Sequence, residues 1–424
     1  MPRAALPLAP FLAVSLLFLA PTRTSHAAER AVEHRTAHYD LRVEGDLDPV
    51  ETGAMLEALH GELTRFFGRS PARRLRIEIY ATHERFLAAL RRDDQPYESG
   101  GGLYGPTFGK VWLSIQPTEA YTRQLILHEA THQFHFLVAT DNRFPSAHWY
   151  TEGFAEFMAM ANWDGTDLNV GVIPAITVED YPARARRHFD VIGWDLEGAL
   201  RGRVAVGQAA SWALVHFLAH RDMPRFRRLG ARLERREDPA AALRAVYGKI
   251  GSGMLAAFRS WLVQNRQPWE WRWNAWQERG DWIVGESDVV AISTLKSTPR
   301  RLDVEIRPVS GPFQGGLVFG YRSTEDFHLM TLSDDRVLSI VRRRNGAWHR
   351  LRQVVVEPPT GPDVLSLEQN PAGLRLSANG RLVQVVRAPG QVGLTVDGCK
   401  ARFRPVIDAS AAELARATPI ESAG

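Results

Sequence analysis

Near residue 280 the hydrophobic residues change from helical to alternating spacing, and this change constrains the fold more than any other feature. From about residue 119 to 266 they recur at helical spacing. From about 282 to 408 they alternate with polar residues, as at Leu302, Val304 and Ile306. A chain of 424 residues that is 45% hydrophobic can bury a separate core in each part. The pattern therefore predicts a helix-rich unit followed by an all-β unit.

Upstream of the helical part, strands and helices alternate. Period-two segments predict strands at 39–43, 75–80 and 111–115, and the helices between them begin at Asp48-Pro49 and at Thr82. Four glycines between residues 100 and 105 indicate a tight connection into the third strand. This order predicts an α+β domain. The stretch 163–206 shows no readable pattern.

The alternating part carries two signals for tight hairpins. Asn345-Gly346 and Asn379-Gly380 each separate two strand-like runs, and this dipeptide favours two-residue turns. Short strands with turn residues about every ten positions are typical of a β-sandwich. The last residues, 409–424, are small and polar, and we expect them to form a flexible tail.

The amino terminus predicts export. Residues 1–27 combine a basic start, an apolar stretch that is too short to span a bilayer, and a small-x-small sequence that ends at Ala27. We expect a cleaved signal peptide and a secreted or periplasmic protein, of bacterial type, with no stable membrane anchor. Cleavage would remove Arg3 and Arg23 and no acid, so the net charge would fall from +4 to +2. That charge gives little support for nucleic-acid binding. The single cysteine, Cys399, excludes an internal disulfide and a cysteine-based zinc cluster.

The strongest functional signal is the pentapeptide HEATH at 128–132, within a run that reads as helix. Positions i and i+4 share one face of a helix, so His128 and His132 can bind the same ion. Glu129 lies about 100° around the helix axis, beside that ion without binding it. This arrangement is typical of a zinc site with a neighbouring general base.

A second segment, WYTEGFAE at 149–156, supplies what the first one lacks. Nineteen residues separate His132 from Glu152, enough for the helix to end and for a second helix to return beside it. Two histidines and one glutamate form a standard ligand set for catalytic zinc. Glu156 lies one helical turn beyond Glu152, where it can accept a hydrogen bond from a ligand histidine. The two segments together predict a metal site.

These two segments resemble the gluzincin branch of the zincin metallopeptidases, the thermolysin-like or peptidase MA-like domain. The resemblance implies that zinc is bound by His128, His132 and Glu152 and that Glu129 is the general base. It also implies that Glu156 does not bind the metal but orients a ligand histidine. It also implies a zincin-like metallopeptidase domain over 28–270, in which the strand at 110–115 forms an edge for a peptide or protein substrate. The β part, 281–408, is similar to concanavalin A-like and laminin G-like jelly-roll sandwiches, a resemblance that leaves carbohydrate binding open.

One departure from that family leaves part of the mechanism open. Its members use a further tyrosine or histidine to stabilise the transition state, and the position that would supply it is Gln208 or Val206 here. By residue type, the substitutes are His216, His148, Tyr150 and Tyr104. The prediction is a secreted zinc peptidase. Three alternatives remain, namely a zinc-binding pseudo-peptidase, a zinc amidase that acts on cell-wall material, and a carbohydrate-binding protein with an inactive helical scaffold.

Overall fold

The computed structural model describes residues 31–95, 100–177, 179–270 and 275–408. The expected signal peptide at 1–27 and the expected tail at 409–424 lie outside these ranges. None of the helices in the described ranges has the combination of length and apolar character that crossing a bilayer requires. The chain consists of a helical part built on a small sheet, followed by a β-sandwich.

Ten helices are present in the described ranges. They are α1 Pro49–Phe67, α2 His83–Arg92, α3 Glu119–Ala139, α4 His148–Ala159, α5 Tyr181–Val191, α6 Leu196–Leu200, α7 Gln208–Arg221, α8 Met223–Glu234, α9 Pro239–Tyr247 and α10 Ser252–Gln264.

Seven short strands belong to the helical part. They are β1 Val32–Arg35, β2 Tyr39–Val43, β3 Leu75–Tyr80, β4 Gly102–Gly105, β5 Lys110–Ser114, β6 Asn162–Trp163 and β7 Leu168–Asn169. The sandwich contains β8 Trp269–Glu270, β9 Trp276–Arg279, β10 Trp282–Ser287, β11 Ala291–Leu295, β12 Arg301–Ser310, β13 Gln314–Ser323, β14 Asp326–Ser333, β15 Val337–Arg344, β16 Ala347–Val355, β17 Asp363–Asn370, β18 Gly373–Ala378, β19 Arg381–Val386, β20 Gln391–Val396 and β21 Cys399–Asp408.

The first sheet has the order β1-β2-β3-β5-β4. Strands β2, β3 and β5 run parallel, because α1 and α2 carry the chain back between them. Helix α1 begins where the Asp48 carboxylate accepts hydrogen bonds from two backbone N–H groups, and it ends at Gly68 in the left-handed conformation. The expectation that the strand at 110–115 is the edge was wrong. The glycine-rich segment forms β4, which pairs antiparallel with β5 and becomes the edge instead.

The helical part is organised around α3, which packs against the sheet on one side and α4 on the other. Helix α3 runs without interruption for 21 residues, because Thr118 caps its start and no glycine or proline breaks it. Helix α4 in turn packs against α7. The stretch 163–206, which showed no readable pattern, contains α5 and α6. Their apolar faces are short, and they include Phe189 of α5 and Leu200 of α6, which become recognisable as core residues only where the helices pack.

The sandwich consists of two antiparallel sheets of seven strands each. Both predicted hairpin turns are present, since Asn345-Gly346 and Asn379-Gly380 adopt the positive φ angles that such turns require. The sandwich core lies between the sheets, with Leu317 and Phe319 facing Leu367 and Phe403. Strands β8 and β9 already belong to the two sheets, so the sandwich begins at Trp269, before the predicted start at 281 and just inside the predicted end of the preceding domain at 270.

Charged side chains join the sandwich to the helical part near the start of α3. The Arg123 guanidinium of α3 is buried and donates to the side chain of Gln277 in β9. Arg279 pairs with Glu51 of α1, and Lys400 lies 3.6 Å from Glu119. The amino-terminal end of the HEATH helix is therefore held by residues of both parts.

Candidate metal centre

The two histidines of HEATH lie on one face of α3 and point to the same place. Their Nε2 atoms are 3.0 Å apart, and both side chains are buried. This follows from the helical repeat, because a residue at i+4 lies almost above the residue at i. The sequence alone was sufficient to predict the pairing of His128 with His132.

Glu152 reaches the same place from α4. Its carboxylate oxygens lie 3.6 Å from Nε2 of His128 and 3.7 Å from Nε2 of His132. All three donor atoms fall within 4.8 Å of one another. Tetrahedral zinc with bonds of about 2.0–2.1 Å requires its ligand atoms to be roughly 3.3 Å apart. The three observed separations bracket that value, so these side chains fit a zinc ion with little movement.

Glu156 lies behind His128, on the side away from Glu152. Its Oε1 atom is 3.2 Å from Nδ1 of His128, within contact distance although not aligned as a hydrogen bond. Its Oε2 atom accepts a hydrogen bond from the hydroxyl of Tyr181, at 3.0 Å, and another from the amide of Gln124, at 3.3 Å. A carboxylate in this place orients a ligand histidine and selects its tautomer. Sequence reasoning missed Tyr181, because it stands at the start of α5 in the unreadable stretch.

Glu129 lies beside the three donors under the edge strand β4. A Cβ atom on Gly102 would come within 2.9 Å of the Glu129 side chain, so glycine is what allows the strand to pass over it. The backbone N–H of Tyr104 in the same strand donates to the Glu129 carboxylate. Burial raises the pKa of Glu129 and outweighs the nearby histidines, which lower it. A raised pKa suits a group that takes up and releases a proton.

The acidic surroundings of the site favour positive charge at its centre. Burial opposes protonation of His128, but the carboxylates of Glu156 and Glu152 outweigh burial and raise the pKa of His128 well above its usual value. Burial would raise the pKa of Glu152, yet its contacts with His132 and His128 hold that pKa well below the usual range. Without a metal ion, these carboxylates favour positive charge on the histidines. A divalent cation would supply that positive charge in place of the protons.

Gly153 allows α4 to carry Glu152 into place. A Cβ atom at this position would lie 2.3 Å from the backbone oxygen of Ser211 and 2.7 Å from Val215, both in α7. Only glycine permits this close approach of the two helix backbones. The glycine that follows Glu152 in the sequence is therefore required by packing as well as present in the motif.

Two of the four candidates for transition-state stabilisation lie elsewhere. The hydroxyl of Tyr150 donates to Glu234 of α8 at 2.7 Å, on the side of α4 away from the donor cluster. His216 is buried against Trp212, Trp261 and a stacked His220. Neither ring can serve a substrate at the cluster.

The other two candidates lie closer to the donors. His148 is exposed at the start of α4, one helical turn before Glu152 and on the same face. Tyr104 lies on the edge strand over Glu129, and its hydroxyl donates to Asn142 at 2.9 Å. The distinction between the two pairs could not be made from residue type, because it depends on which side of α4 and of the sheet each residue occupies.

His135, three residues after His132, is fully buried and belongs to a second polar cluster. Its Nε2 atom lies 3.2 Å from Oε1 of Glu234, the atom that accepts the hydrogen bond from Tyr150. Glu234 therefore links α3 and α4 behind the donor atoms. No sequence signal identified it, because it lies about a hundred residues away on α8.

No family profile matches this sequence, and no curated protein matches it either. Solved structures do match part of the chain. A carbohydrate-binding module, CBM66 from Bacillus subtilis, is 18% identical and covers 30% of this chain and 87% of its own, with a TM-score of 0.28. A GH43 protein, BlXynB from Bacillus licheniformis, is 14% identical over 34% of this chain and 37% of its own, at 0.27. The galectin LEC-6 from Caenorhabditis elegans is 13% identical over 29% of this chain and 90% of its own, at 0.23. The strand pairing itself establishes the sandwich, and TM-scores this low carry no further conclusion.

Proposed function

We propose that this protein is a zinc-dependent hydrolase that cleaves peptide bonds. One observation carries the proposal: Nε2 of His128, Nε2 of His132 and the carboxylate of Glu152 converge, with a fourth residue, Glu129, buried beside them. Three protein donors and one open position are typical of catalytic zinc, whereas structural zinc sites are closed by four. Zinc bound there would polarise a carbonyl group and lower the pKa of a water molecule.

The residues of the chain would divide the remaining work. Glu129 would accept a proton from the attacking water and pass it to the leaving nitrogen, because its raised pKa suits both steps. Glu156, held by Tyr181 and Gln124, would fix the orientation of His128. The exposed His148 and Tyr104 on the edge strand are the available donors to the developing oxyanion.

The test compares metal content and peptide turnover in the full secreted chain. We expect one zinc per molecule, and cleavage of a mixed peptide library that Glu129→Gln reduces by at least a hundredfold without loss of zinc. The matched control is Glu84→Gln, the same change at an exposed acid on α2. This control should leave activity unchanged.

Each other outcome identifies a different alternative. Less than one zinc per molecule would refute the metal site and favour a scaffold without catalytic function. Stoichiometric zinc with no cleavage of peptides would indicate a pseudo-peptidase, or an amidase if cell-wall fragments are cleaved. Equal turnover by wild type and Glu129→Gln would show that Glu129 is not the base.

A further inference from the structure

The hairpin of strands β15 and β16 has a strong positive charge. The segment 337–355 contains no aspartate or glutamate, and it contains five arginines, Arg342, Arg343, Arg344, Arg350 and Arg352. Strand β16 is the outermost strand of its sheet and is exposed from Ala347 to Gln353. An edge strand with charged side chains resists pairing with other sheets, so charge alone has an ordinary explanation here. The arrangement of the side chains on this hairpin points to a binding role that charge alone does not indicate.

One side chain from each of the strands β14, β15 and β16 contributes to a row across the outer face of the sheet. Arg343 lies directly opposite Phe327 on one side and Trp348 on the other. Cross-strand partners point to the same face, and the neighbouring Ile340 and Met330 face the sandwich core. Phe327, Arg343 and Trp348 therefore share the face that points away from the core.

The row presents an aromatic surface next to cations. Trp348 is 46% exposed, and its indole is held by an edge contact with Phe327 at 5.6 Å. The Arg343 guanidinium lies over the same indole, 5.4 Å from the ring centre. Arg350, opposite Val341 in the next pair on this face, lies roughly 7 Å along the strand from Trp348. The indole therefore has one guanidinium group over it and a second arginine at the next position on the same face.

Four of these five arginines have no carboxylate partner in the part of the chain that the structure describes. Arg342 pairs with Asp326 at 3.2 Å, but within the described residues no carboxylate pairs with Arg343, Arg344, Arg350 or Arg352. The buried Nε atom of Arg343 has no hydrogen-bond acceptor there either. Arg336, just before the hairpin, does form an ion pair, with Asp363 at 2.5 Å. Four unpaired like charges on one hairpin repel one another, and an anionic ligand would relieve that repulsion.

We propose that this arginine–tryptophan face, defined by Phe327, Arg343, Trp348 and Arg350, binds an acidic polysaccharide. A guanidinium group matches the geometry of a carboxylate or a sulfate with two parallel hydrogen bonds. The exposed indole offers an apolar platform on which the flat face of a sugar ring can pack. The spacing lets one ring lie on Trp348 while its acidic group, or that of its neighbour, meets Arg343 or Arg350.

Two other polyanions fit the face less well. A membrane surface would require apolar residues at the hairpin tip, whereas the tip is Asn345-Gly346 and Trp348 lies on the flat face behind it. A nucleic acid would require a broad basic surface, whereas the whole chain has a net charge of only +4. The local charge and the single exposed ring match a short stretch of acidic sugars.

The test measures binding of the full secreted chain to polygalacturonate and to chondroitin sulfate, with neutral dextran as the uncharged comparison. We expect binding to one or both acidic polymers, none to dextran, and weakening as salt is raised. Trp348→Ala and the double variant Arg343→Gln/Arg350→Gln should each lower the affinity at least tenfold. The control is Arg387→Gln/Arg402→Gln, which removes the same charge from exposed positions elsewhere on the sandwich and should bind as wild type does.

Four results would overturn the proposal. They are no binding to either acidic polymer, equal binding by wild type and both face variants, equal loss in the control variant, and binding only to phosphatidylserine vesicles or to single-stranded DNA. All the substituted side chains are exposed or half-buried, so unchanged circular dichroism should accompany the loss of affinity. The result is independent of zinc content and of peptide turnover.

Discussion

Gly153→Ala should destabilise the protein more than any exposed glycine substitution, because the new methyl group has nowhere to go. The added Cβ would lie 2.3 Å from the Ser211 oxygen, and ordinary contact begins near 3.4 Å. Helix α7 would therefore have to move by roughly 1 Å from α4, since the obstacle is backbone that cannot rotate away. Overpacking of this kind costs about 1–3 kcal/mol.

The net effect combines this cost with a gain. Alanine is favoured over glycine inside a helix by about 1 kcal/mol, which offsets part of the clash. With the clash near the upper end of its range, we expect a net loss of about 2 kcal/mol, or roughly 4–8 °C in Tm for a domain of this size. Any part of this separation that α4 takes up should also move Glu152 relative to the two histidines and weaken zinc binding.

A matched glycine makes the experiment decisive. Gly61 lies in the interior of α1 with no atom within 4 Å of an added Cβ. Gly61→Ala should therefore raise the free energy of unfolding by up to about 1 kcal/mol, so the two variants should differ by about 3 kcal/mol in urea denaturation. If Gly153→Ala is as stable as Gly61→Ala, the close approach of α4 and α7 does not exist in solution.

Three further predictions follow from the polar contacts. Glu156→Gln should weaken zinc binding 10–100-fold in competition with a chelator, because the amide no longer offers two acceptor oxygens, and an unchanged affinity would remove Glu156 from the support of His128. Glu234→Ala should cost about 2–3 kcal/mol in unfolding experiments, since it leaves buried donors without an acceptor, whereas Glu234→Gln keeps one acceptor oxygen and should recover part of the loss; equal losses would contradict this. Burial opposes ionisation of Asp93, but Lys110, at 2.7 Å, and its other partners outweigh burial and lower the pKa of Asp93 to about 2. A folded-state pKa below the unfolded value of 3.8 stabilises the protein above about pH 4, and this stabilisation disappears as the pH falls towards 2. Asp93→Asn should therefore be less stable by roughly 2 kcal/mol at neutral pH and equal to wild type near pH 2, and a difference that persists at acid pH would refute the assignment.

Local sequence patterns were sufficient to predict many of the helices and hairpins. The caps at Asp48 and Thr82 and the Asn-Gly turns act through neighbouring residues, and the structure forms helices and hairpins where they predict them. The edge of the first sheet could not be predicted in this way. Strand β4 is four residues long and has two glycines, so its identity as a strand depends on pairing with β5.

The candidate site shows the same division. His128, His132 and Glu129 lie on one helix, and the helical repeat alone places them relative to one another. Glu152 lies on a second helix, which has to return beside α3 so that Glu152 is level with the two histidines. The sequence predicted that helix but not its position along α3. The position of α4 depends on the packing of Gly153 against α7.

The sequence by itself determined the change from helical to alternating spacing, the placement of His128 and His132 on one face of α3, and the two tight turns of the sandwich. Each depends on residues within a few positions of one another, where backbone geometry is regular. Only the tertiary structure decided that Tyr181 and Glu234 support the donor helices, that Tyr150 and His216 point away from the site, and that Arg343 meets Trp348 beside Phe327. Those contacts join residues that strand register and helix packing bring together. Neither the register nor the packing can be predicted from a local sequence pattern.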